Sequence, residues 1–494
     1  MTARLRAGAA LPPEVALPGY DPETRGVGVV HLGIGAFHRA HQAAYLDDCM
    51  AIAPGNWRVR GLSLRSPGVR EQLAPQDGRY LLVEQDAAGD RLRLMGAVAD
   101  VLVVPEDPAR AVTALADPHV KLVSLTVTEK GYCHDPATGG LDVDHPDIAH
   151  DLAHPDRPRS APGLVVAGLA ARFAMGLAPP TLVCCDNLPD NGRVLAGVLS
   201  AYAALRSDRL SAWIEREVAA PSTMVDRIVP ATTADDLARL RDRTGVEDRG
   251  AVKTEPFRQW VIADRWSGAR PPLERVGAQL VGDVRPFELA KLRMLNGAHS
   301  LLAYLGLRLG HTYVHQAIAD PALARLVRGL MLDEAAPTLP AAPGLDVARY
   351  ADALLARFAN PALHHRLLQI AMDGSQKLPQ RLLGTVRDAY AREVEPAAAL
   401  LAVAAWMLHA TGRGPDGMRH AVDDPLAPTL AAATARGGGE PEALVRAMLG
   451  VDAVFGDLHR HEPAISALVA HVRGLLDDPA AHVQRTAAGR LEVA

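Results

Sequence analysis

The sequence predicts an α/β protein in which an N-terminal Rossmann-type, doubly wound sheet is followed by a mainly α-helical domain. Three observations support this prediction. Strand-like and helix-like segments alternate before residue 280, a glycine turn follows the first strand, and only helical periodicity recurs after residue 280. Such alternation is typical of a parallel sheet with helices on its faces. We therefore predict a dinucleotide-binding domain over residues 1–280 and a helical substrate and catalytic domain over residues 281–494.

The predicted strands are short apolar runs bounded by turn residues, as expected of strands buried on both faces. They lie at 27–32, 57–64, 120–128 and 181–188, and a helical run at 162–175 precedes the last of them. In the second half of the chain, helical periodicity recurs at 320–334, 347–358, 363–371, 381–391, 397–410 and 440–477.

The composition excludes several classes of protein. With 494 residues, a formal net charge of −5 and 49% hydrophobic residues, the chain has neither the charge expected of a nucleic-acid binder nor that of an anionic-membrane binder. No apolar run reaches the roughly 18 residues of a membrane span. Pro12 and Pro13 interrupt the weak apolar run near the N-terminus, which therefore does not resemble a signal peptide. We expect a cytoplasmic protein.

The cysteines do not indicate a metal site. Cys49, Cys133, Cys184 and Cys185 form no C-x-x-C motif and have no metal-ligand spacing. If the adjacent pair lies on a strand, its two side chains point to opposite faces. We expect no zinc site, and unpaired cysteines fit a reducing cytoplasm.

A glycine turn joins the first strand to a helix-like run that begins near Phe37. At such a turn a dinucleotide pyrophosphate meets backbone N–H groups, and a side chain would block its approach. The expected cofactor contacts are Gly33, Gly35, Ala36 and Phe37. The G-x-G-x-x-G fingerprint is incomplete, because His38 occupies the third glycine position. Taken alone, the motif is equally compatible with an ordinary tight turn.

The end of the second strand leaves the choice between NAD and NADP open. NAD-selective Rossmann domains carry an acidic residue there, which binds the ribose hydroxyls. This strand ends in Ser63-Leu64-Arg65-Ser66-Pro67, without a carboxylate. Arg65 is compatible with the 2′-phosphate of NADP.

The segment 286–302 carries the strongest chemical signal. Pro286 suits the first turn of a helix. At about 100° per residue, Asn296 lies roughly 60° beyond His299. One helix face then carries Glu288, Lys291, Leu295, His299 and Leu302. Charged groups are rarely placed among buried leucines without a partner or a function. The alternative is a surface Glu288–Lys291 pair with His299 as a core residue.

These residue types fit the oxidation of a secondary alcohol. Lys291 is the candidate general base, if burial lowers its pKa. Asn296 and Asn187 are candidate donors to the oxygen that becomes negative in the transition state. Asn187 follows a buried strand, at the edge where α/β sheets bind ligands, and is also a candidate cofactor contact. Glu288 could relay the proton, and His299 could orient the substrate.

Together these segments resemble the polyol-specific long-chain dehydrogenase family, which includes mannitol 2-dehydrogenase, fructuronate reductase and tagaturonate reductase. The resemblance covers nearly the whole chain. It is carried by HLGIGAFHRAHQA (31–43), SLTVTEKGYC (124–133), CDNLPDNG (185–192), TMVDRIVPATT (223–233), EPFRQWVIAD (255–264), KLRMLNGAHSLLAYLG (291–306) and QIAMDGSQKLPQRLL (369–383).

The resemblance implies a role for each matching residue. The family's catalytic lysine maps onto Lys291, and Asn296 and His299 complete the K-x-x-x-x-N-x-x-H pattern. Asn187 matches the asparagine of the family's C-D-N-L motif, and Glu288 matches its glutamate. The resemblance further implies an NAD-dependent, metal-independent enzyme that is monomeric. The glycine turn with histidine in the third position is the family's own form.

The substrate is expected to be a hexuronate. The T-E-K-G-Y-C form around Lys130 resembles the uronate-acting branch, whereas mannitol dehydrogenases often have a smaller residue at that position. An ammonium can pair with a substrate carboxylate. Lys377 and Arg381 are further candidates for that contact, and the alternative for all three is a structural charge. We predict reduction of D-fructuronate to D-mannonate, with mannitol 2-dehydrogenase activity as the alternative.

Two alternatives come from other classes. A regulatory protein that binds NAD without turnover would be expected to lack the lysine or one of the asparagines, and all are present. A zinc-dependent alcohol dehydrogenase would need a Cys/His ligand spacing that the sequence lacks.

Overall fold

The computed structural model describes residues 3–135 and 138–489. The chain divides into two compact units, Met1–Val284 and Arg285–Ala494.

All named strands of the described residues lie in the first unit. They are β1 Ala3–Arg4, β2 Val15–Ala16, β3 Val27–Leu32, β4 Arg58–Ser63, β5 Tyr80–Asp86, β6 Gly89–Met95, β7 Val98–Val103, β8 Leu122–Leu125, β9 Thr181–Cys184, β10 Thr223–Asp226, β11 Val246–Glu247, β12 Val252–Thr254, β13 Gln259–Ala263 and β14 Gln279–Val281. The helices of this unit are α1 Ala36–Ala40, α2 Gln42–Ile52, α3 Gly68–Leu73, α4 Pro108–Ala116, α5 Pro146–Ala153, α6 Ala161–Ala174, α7 Asn191–Ala204, α8 Asp208–Glu217 and α9 Ala234–Thr244.

The central sheet of the first unit is a five-stranded parallel sheet with the order β7-β4-β3-β8-β9. Successive residues of a strand face opposite sides, so each strand supplies two cores. On one side Val30 and Leu182 pack with α4, α6 and α7. On the other side Val29 and Val183 pack with α2. The predicted doubly wound sheet is confirmed.

Besides the two-stranded sheet β1-β11, two smaller sheets of this unit were not predicted. One has the order β10-β13-β14, and its Val225, Trp260 and Ile262 cover the second face of the central sheet together with α2. The other has the order β12-β5-β6-β2. Its parallel pairing of Val252 with Leu82 joins segments far apart in the chain. Local alternation cannot reveal such pairings.

The strand predicted at 120–128 is shorter than expected. β8 ends at Leu125, and Thr128 has a φ of 66°. This conformation is unfavourable for a β-branched residue and incompatible with a continuing strand. The strand therefore gives way early to the loop that carries Lys130.

The described residues of the second unit form helices joined by loops, with no named strand among them. Its α-helices are α10 Arg285–Ala290, α11 Gly297–Arg308, α12 Val314–Ile318, α13 Pro321–Gly329, α14 Val347–Phe358, α15 Leu367–Ile370, α16 Gly374–Leu378, α17 Gly384–Tyr390, α18 Ala397–His409, α19 Ala427–Arg436, α20 Pro441–Leu449, α21 Asp452–Phe455, α22 Glu462–Asp477 and α23 Pro479–Ala487. Three π-helical turns interrupt them: the first π turn, Lys291–Asn296, the second, Leu330–Ala335, and the third, Pro379–Leu383.

The core of the second unit is built around α18. Nearly every residue of this helix is buried, as expected of a helix that is apolar on all sides. It packs against α11 and α22. None of the described helices is both long and apolar enough to cross a membrane.

Candidate active site

The predicted cofactor and substrate residues of the first unit gather at one edge of the central sheet. Gly33 follows β3, Arg65 follows β4, Lys130 follows β8 and Asn187 follows β9. These strands are parallel, so their carboxyl ends share one edge. The strand order changes direction between β3 and β8, and ligands of doubly wound sheets bind outside this point.

The turn after β3 can accept only glycine at its first position. Gly33 has a φ of 88°, and a Cβ there would lie 2.1 Å from the Thr126 carbonyl oxygen. Gly35 precedes α1, and a Cβ there would meet only the Gly33 carbonyl oxygen, at 3.8 Å. The space beside Gly35 is thus open, and Ala36 and Phe37 begin the helix whose first amides lack partners within it. This cradle fits the pyrophosphate of a dinucleotide.

His38, which replaces the third glycine, packs beneath the turn. Its ring stacks on that of His31 with 3.5 Å between the centroids. The His31 ring bonds to Ser124 Oγ at 2.8 Å and to Thr126 Oγ1 at 2.9 Å. Burial lowers the pKa of His31 to about 3, so the ring is neutral at physiological pH. The stacked rings join α1 to the strands, where the usual fingerprint relies on a glycine contact.

Asp186 joins the loop that carries Lys130 to the end of β9. Its carboxylate accepts hydrogen bonds from the Val127 amide at 2.9 Å, the Thr128 amide at 3.1 Å and the Tyr132 hydroxyl at 2.7 Å. Burial raises the pKa of the Asp186 carboxyl, and these three bonds oppose that effect. Lys130 itself is exposed on the loop. The side chain next to Asn187 therefore fixes the backbone around Lys130.

Asn191 fixes the other side of the Asn187 segment. Its amide nitrogen donates to the Asp186 carbonyl at 3.1 Å and to the Thr223 carbonyl at 2.9 Å, and its amide oxygen accepts from the Thr223 amide at 2.8 Å. Asn187 lies exposed between Asp186 and Asn191. Both neighbours are anchored, so the Asn187 backbone is held at the sheet edge.

Arg65 is exposed just beyond β4. It lies close to the glycine turn along the sheet edge, since the Gly33 amide donates to the Leu62 carbonyl at 3.0 Å. Ser63 Oγ donates to the Ser66 carbonyl at 2.6 Å and closes the turn that presents Arg65.

In the second unit, the prediction of one regular α-helix over 286–302 is wrong. The helix begins at Arg285, but a π turn separates α10 from α11, and the Gly297 amide donates to the Leu292 carbonyl five residues earlier. In an α-helix Lys291 and Asn296 would stand about 140° apart. In a turn closed by i→i+5 bonds the fifth residue returns to the same side. The π turn thus aligns Lys291 with Asn296.

The positions of the other predicted residues of this helix depend on the π turn. His299 lies three residues after Asn296 in regular α-helix, about 60° around the axis. Glu288 is half-buried in the turn that precedes Lys291. Leu295 and Leu302 are buried in the core of the unit. From this backbone geometry we expect Lys291, Asn296 and His299 to lie along one side of the helix, by a different geometry from the one predicted.

His299 is buried beside several basic groups. Its ring lies 4.8 Å from that of Phe358 and 5.3 Å from that of His365. Burial, followed by the charges of His365, Arg357 and Arg381, lowers the pKa of His299 well below its ordinary value. Among the described residues, its Nε2 atom has no hydrogen-bond partner. A neutral imidazole in this setting can orient a hydroxyl or a carbonyl oxygen.

Lys377 and Arg381 lie in the same neighbourhood. The Arg381 guanidinium donates to Ser300 Oγ, next to His299, at 3.4 Å. Lys377 Nζ donates to the Met372 carbonyl at 2.6 Å and lies 3.5 Å from the Asp373 carboxylate. Burial and the charge of Arg381 lower the pKa of Lys377. Arg381 thus lies near both His299 and Lys377, and Asp373 and Asp423 are the acidic neighbours of Lys377.

Comparison with known proteins identifies the family. The Rossmann-domain model of mannitol dehydrogenases matches residues 27–275, and the mannitol dehydrogenase C-terminal-domain model matches residues 283–476. The chain belongs to the mannitol dehydrogenase family. The family resemblance predicted from the motifs is confirmed, and the chain is an oxidoreductase of polyols or sugar acids.

Individual mannitol dehydrogenase relatives match over almost the whole chain. An uncharacterised oxidoreductase, YeiQ of Escherichia coli, is 45% identical, covering 91% of this chain and 92% of its own. D-mannonate oxidoreductase of Escherichia coli is 41% identical, covering 94% and 96%. The solved Pseudomonas fluorescens mannitol 2-dehydrogenase, in complex with NAD and D-mannitol, is 34% identical with a TM-score of 0.83, covering 99% and 100%. The Rossmann match and this likeness confirm the predicted fold class.

Several residues around the mannitol dehydrogenase motifs were missed at the sequence level. Asp186 and Asn191 lie inside the C-D-N-L-P-D-N-G motif, but their partners are remote in sequence. His31 could have been identified from the sequence, since a buried histidine in an apolar strand requires hydrogen-bond partners. Arg227 is buried and donates to the Ala40 carbonyl at the end of α1, a contact between segments 187 residues apart.

Proposed function

We propose that the chain is an NAD(P)-dependent, metal-independent dehydrogenase that reduces D-fructuronate to D-mannonate, with Lys291 as general acid and base. The observation that carries the proposal is the placement of Lys130. This exposed ammonium lies on a loop that Asp186 ties to the strand end bearing Asn187. A cation beside a candidate oxyanion donor suits a keto sugar that carries a carboxylate.

The residues at the edge of the central sheet fit a dinucleotide. Gly33 and Gly35 keep side chains away from the turn, and Ala36 and Phe37 present the first amides of α1. When bound there, a reduced nicotinamide supplies the hydride for the reduction. We expect NAD to be used, and Arg65 supports use of NADP as well.

The protein's own groups supply the proton and hold the substrate oxygen. Lys291 gives its proton to the keto oxygen as that oxygen becomes a hydroxyl, and takes it back in the oxidative direction. Asn187 and Asn296 are the candidate donors of hydrogen bonds to a substrate oxygen that carries negative charge. Glu288 passes protons between Lys291 and solvent. His299 orients the substrate hydroxyls as a neutral ring.

Lys130, Lys377 and Arg381 are the candidate partners of the substrate carboxylate. Within the second unit, Arg381 lies near both His299 and Lys377, and Asp373 and Asp423 are the acidic neighbours of Lys377. The 41% identity to D-mannonate oxidoreductase supports the same substrate class.

Mannitol 2-dehydrogenase activity is the second candidate. It is supported by the likeness to the Pseudomonas fluorescens enzyme, whose structure holds NAD and D-mannitol. In this case Lys291, Asn187, Asn296 and His299 keep their roles, and Lys130 is a structural charge.

The proposal is tested by initial rates of NADH consumption with D-fructuronate and D-fructose, using purified protein. We expect kcat/KM for D-fructuronate to exceed that for D-fructose by at least about 10-fold, the effect of one good charge-assisted contact. A preference for D-fructose would support the mannitol dehydrogenase alternative. Turnover that survives removal of metal by chelation supports the metal-independent mechanism, and its loss would contradict it.

A further inference from the structure

We infer that Arg293 is a positioning residue that holds the first π turn, and with it the alignment of Lys291 with Asn296. The inference rests on the proposed role of Lys291. Arg293 lies two residues after Lys291. In a regular helix this spacing corresponds to about 200° around the axis, so its side chain faces away from Lys291.

The alignment depends on the π turn itself. One α-helical turn in its place would rotate Asn296 to about 140° from Lys291. π turns are rare and are found mostly as single turns at functional sites. Contacts are therefore needed that favour this turn over a regular α-helical one.

Arg293 supplies such contacts on the side of the turn that faces Asp388 and Thr338. Its Nη1 atom donates to Asp388 Oδ2 and to Thr338 Oγ1, each at 2.6 Å. The Arg293 side chain is only 12% exposed, whereas that of Asp388 is 49% exposed, so solvent screens the contact in part. Asp388 lies in α17, directly after the third π turn, and Thr338 follows the second. One guanidinium thus ties the first π turn to the segments that follow the other two.

Two glycines allow this close packing. A Cβ on Gly384 would lie 3.2 Å from Arg293 Nη2, and a Cβ on Gly297 would lie 3.0 Å from the Arg381 carbonyl oxygen. Gly384 therefore leaves room for the guanidinium, and Gly297 leaves room for the third π turn. A methyl group at residue 384 should push the guanidinium away without removing it.

Lysine cannot fully replace Arg293. The planar guanidinium presents several N–H donors in a fixed fork, whereas an ammonium is a point charge on a flexible stem. We expect Arg293→Lys to keep the ion pair with Asp388, to lose the bond to Thr338 and to fall between wild type and Arg293→Met.

The test compares Arg293→Met, Asp388→Asn and Gly384→Ala with the control Arg387→Met. Arg387 is the neighbour of Asp388 on α17, and it donates to the Phe455 carbonyl at 2.7 Å, away from the π turn. The first readout is hydrogen–deuterium exchange of the peptide 289–298, which needs no activity. The second is kcat and KM, measured well below the melting temperature.

For Arg293→Met and Asp388→Asn we expect exchange at the π turn to rise about 10-fold or more. We expect kcat to fall about 10- to 100-fold, since misplacement by about 1 Å has this effect. KM for NADH should stay within about twofold of wild type. Gly384→Ala should change both readouts in the same direction by less. The double variant Arg293→Met/Asp388→Asn should be no worse than Arg293→Met alone, because both changes break one contact.

The inference is overturned if Arg293→Met leaves both the exchange and kcat at wild-type values, or if Arg387→Met produces the same changes. Its failure can be told from failure of the proposed function. If the wild type turns over no sugar, or if Lys291→Met stays active, the proposed function is wrong. Hydrogen–deuterium exchange of the peptide 289–298 then tests the role of the Arg293 contacts without reference to activity. If Lys291→Met is inactive while Arg293→Met matches wild type in both readouts, only the role of Arg293 is wrong.

Discussion

The Tyr132 hydroxyl donates a hydrogen bond to Asp186 Oδ2 at 2.7 Å and so links the loop after β8 with the segment after β9. Both segments leave the central sheet at its carboxyl edge, next to the glycine turn. One segment carries Lys130 and the other carries Asn187. The link fixes a candidate carboxylate-binding cation relative to a candidate oxyanion donor.

Tyr132→Phe should weaken this link while leaving the two backbone bonds of Asp186 intact. Loss of a hydrogen bond to a carboxylate is worth about 1–3 kcal/mol of stability. We expect a lower melting temperature and a higher KM for the keto sugar, with KM for NADH unchanged. Thermal unfolding and initial rates measure these quantities. Tyr202→Phe, in the same hydrophobic core, serves as the control. A wild-type sugar KM for Tyr132→Phe would show that the link does not position the substrate loop.

Lys291→Met should abolish proton transfer without affecting cofactor binding. General acid–base catalysis contributes about 10²- to 10⁴-fold, so we expect kcat to fall by at least about 100-fold. The dissociation constant of NADH, followed by protein fluorescence, should not change. Lys253→Met is a suitable control, since Lys253 is half-buried like Lys291 and pairs with Asp236. Turnover of Lys291→Met at the wild-type rate would refute the role of Lys291.

Arg65→Ala should discriminate between the two nicotinamide cofactors. An exposed guanidinium that contacts a 2′-phosphate contributes a charge-assisted bond, and we expect KM for NADPH to rise about 5- to 20-fold. KM for NADH should change less than about threefold, because NADH lacks that phosphate. Arg216→Ala, on the exposed face of α8, is the control. Equal increases in KM for NADH and NADPH would show that Arg65 contacts a part of the cofactor that both molecules share.

The buried carboxyl of Glu334 should make the second unit less stable as the pH rises. Burial raises its pKa from 4.5 to about 7, although the amides of Ala398 and Ala399 at the start of α18 donate to it. The folded state therefore binds more protons than the unfolded state between these values. The stability that this proton contributes is fully present below pH 4.5 and is lost as the pH rises through about 7.

The corresponding variant is Glu334→Gln, which is neutral at every pH. The wild type should lose up to about 3 kcal/mol relative to this variant as the pH rises from 5 to 8. Melting temperatures across this pH range measure the difference. Glu440→Gln, at an exposed position before α20, should track the wild type. Parallel curves for the wild type and Glu334→Gln would mean that Glu334 does not titrate in this range.

Local features of the fold could be predicted from the sequence, because they depend on neighbouring residues. The strand before Gly33, the turn and the helix after it are adjacent in residues 27–40, where an apolar strand is followed at once by the glycine turn. Pairings such as Val252 with Leu82 could not be predicted, since nothing local identifies a partner strand so far away. The same holds for the contact of Arg227 with the Ala40 carbonyl.

The residues of the candidate site could be predicted from the sequence, but their arrangement in space could not. The spacing of Lys291, Asn296 and His299 marked them as a group, but a constant 100° per residue cannot reveal a π turn. That turn depends on the packing of Arg293 against Asp388 and Thr338, which lie further along the chain. The roles of the site residues remain predictions for the experiments above.

We propose that this dehydrogenase selects its substrate by a carboxylate and that Lys130 binds it. This is tested by the ratio of kcat/KM for D-fructuronate to that for D-fructose, measured for the wild type, Lys130→Ala and the control Lys121→Ala. We predict a ratio above about 10 for the wild type and Lys121→Ala. In Lys130→Ala the ratio should fall about 5- to 20-fold, because kcat/KM for D-fructuronate decreases while kcat/KM for D-fructose stays unchanged. A wild-type ratio below one, or a ratio that Lys130→Ala leaves unchanged, would contradict the claim.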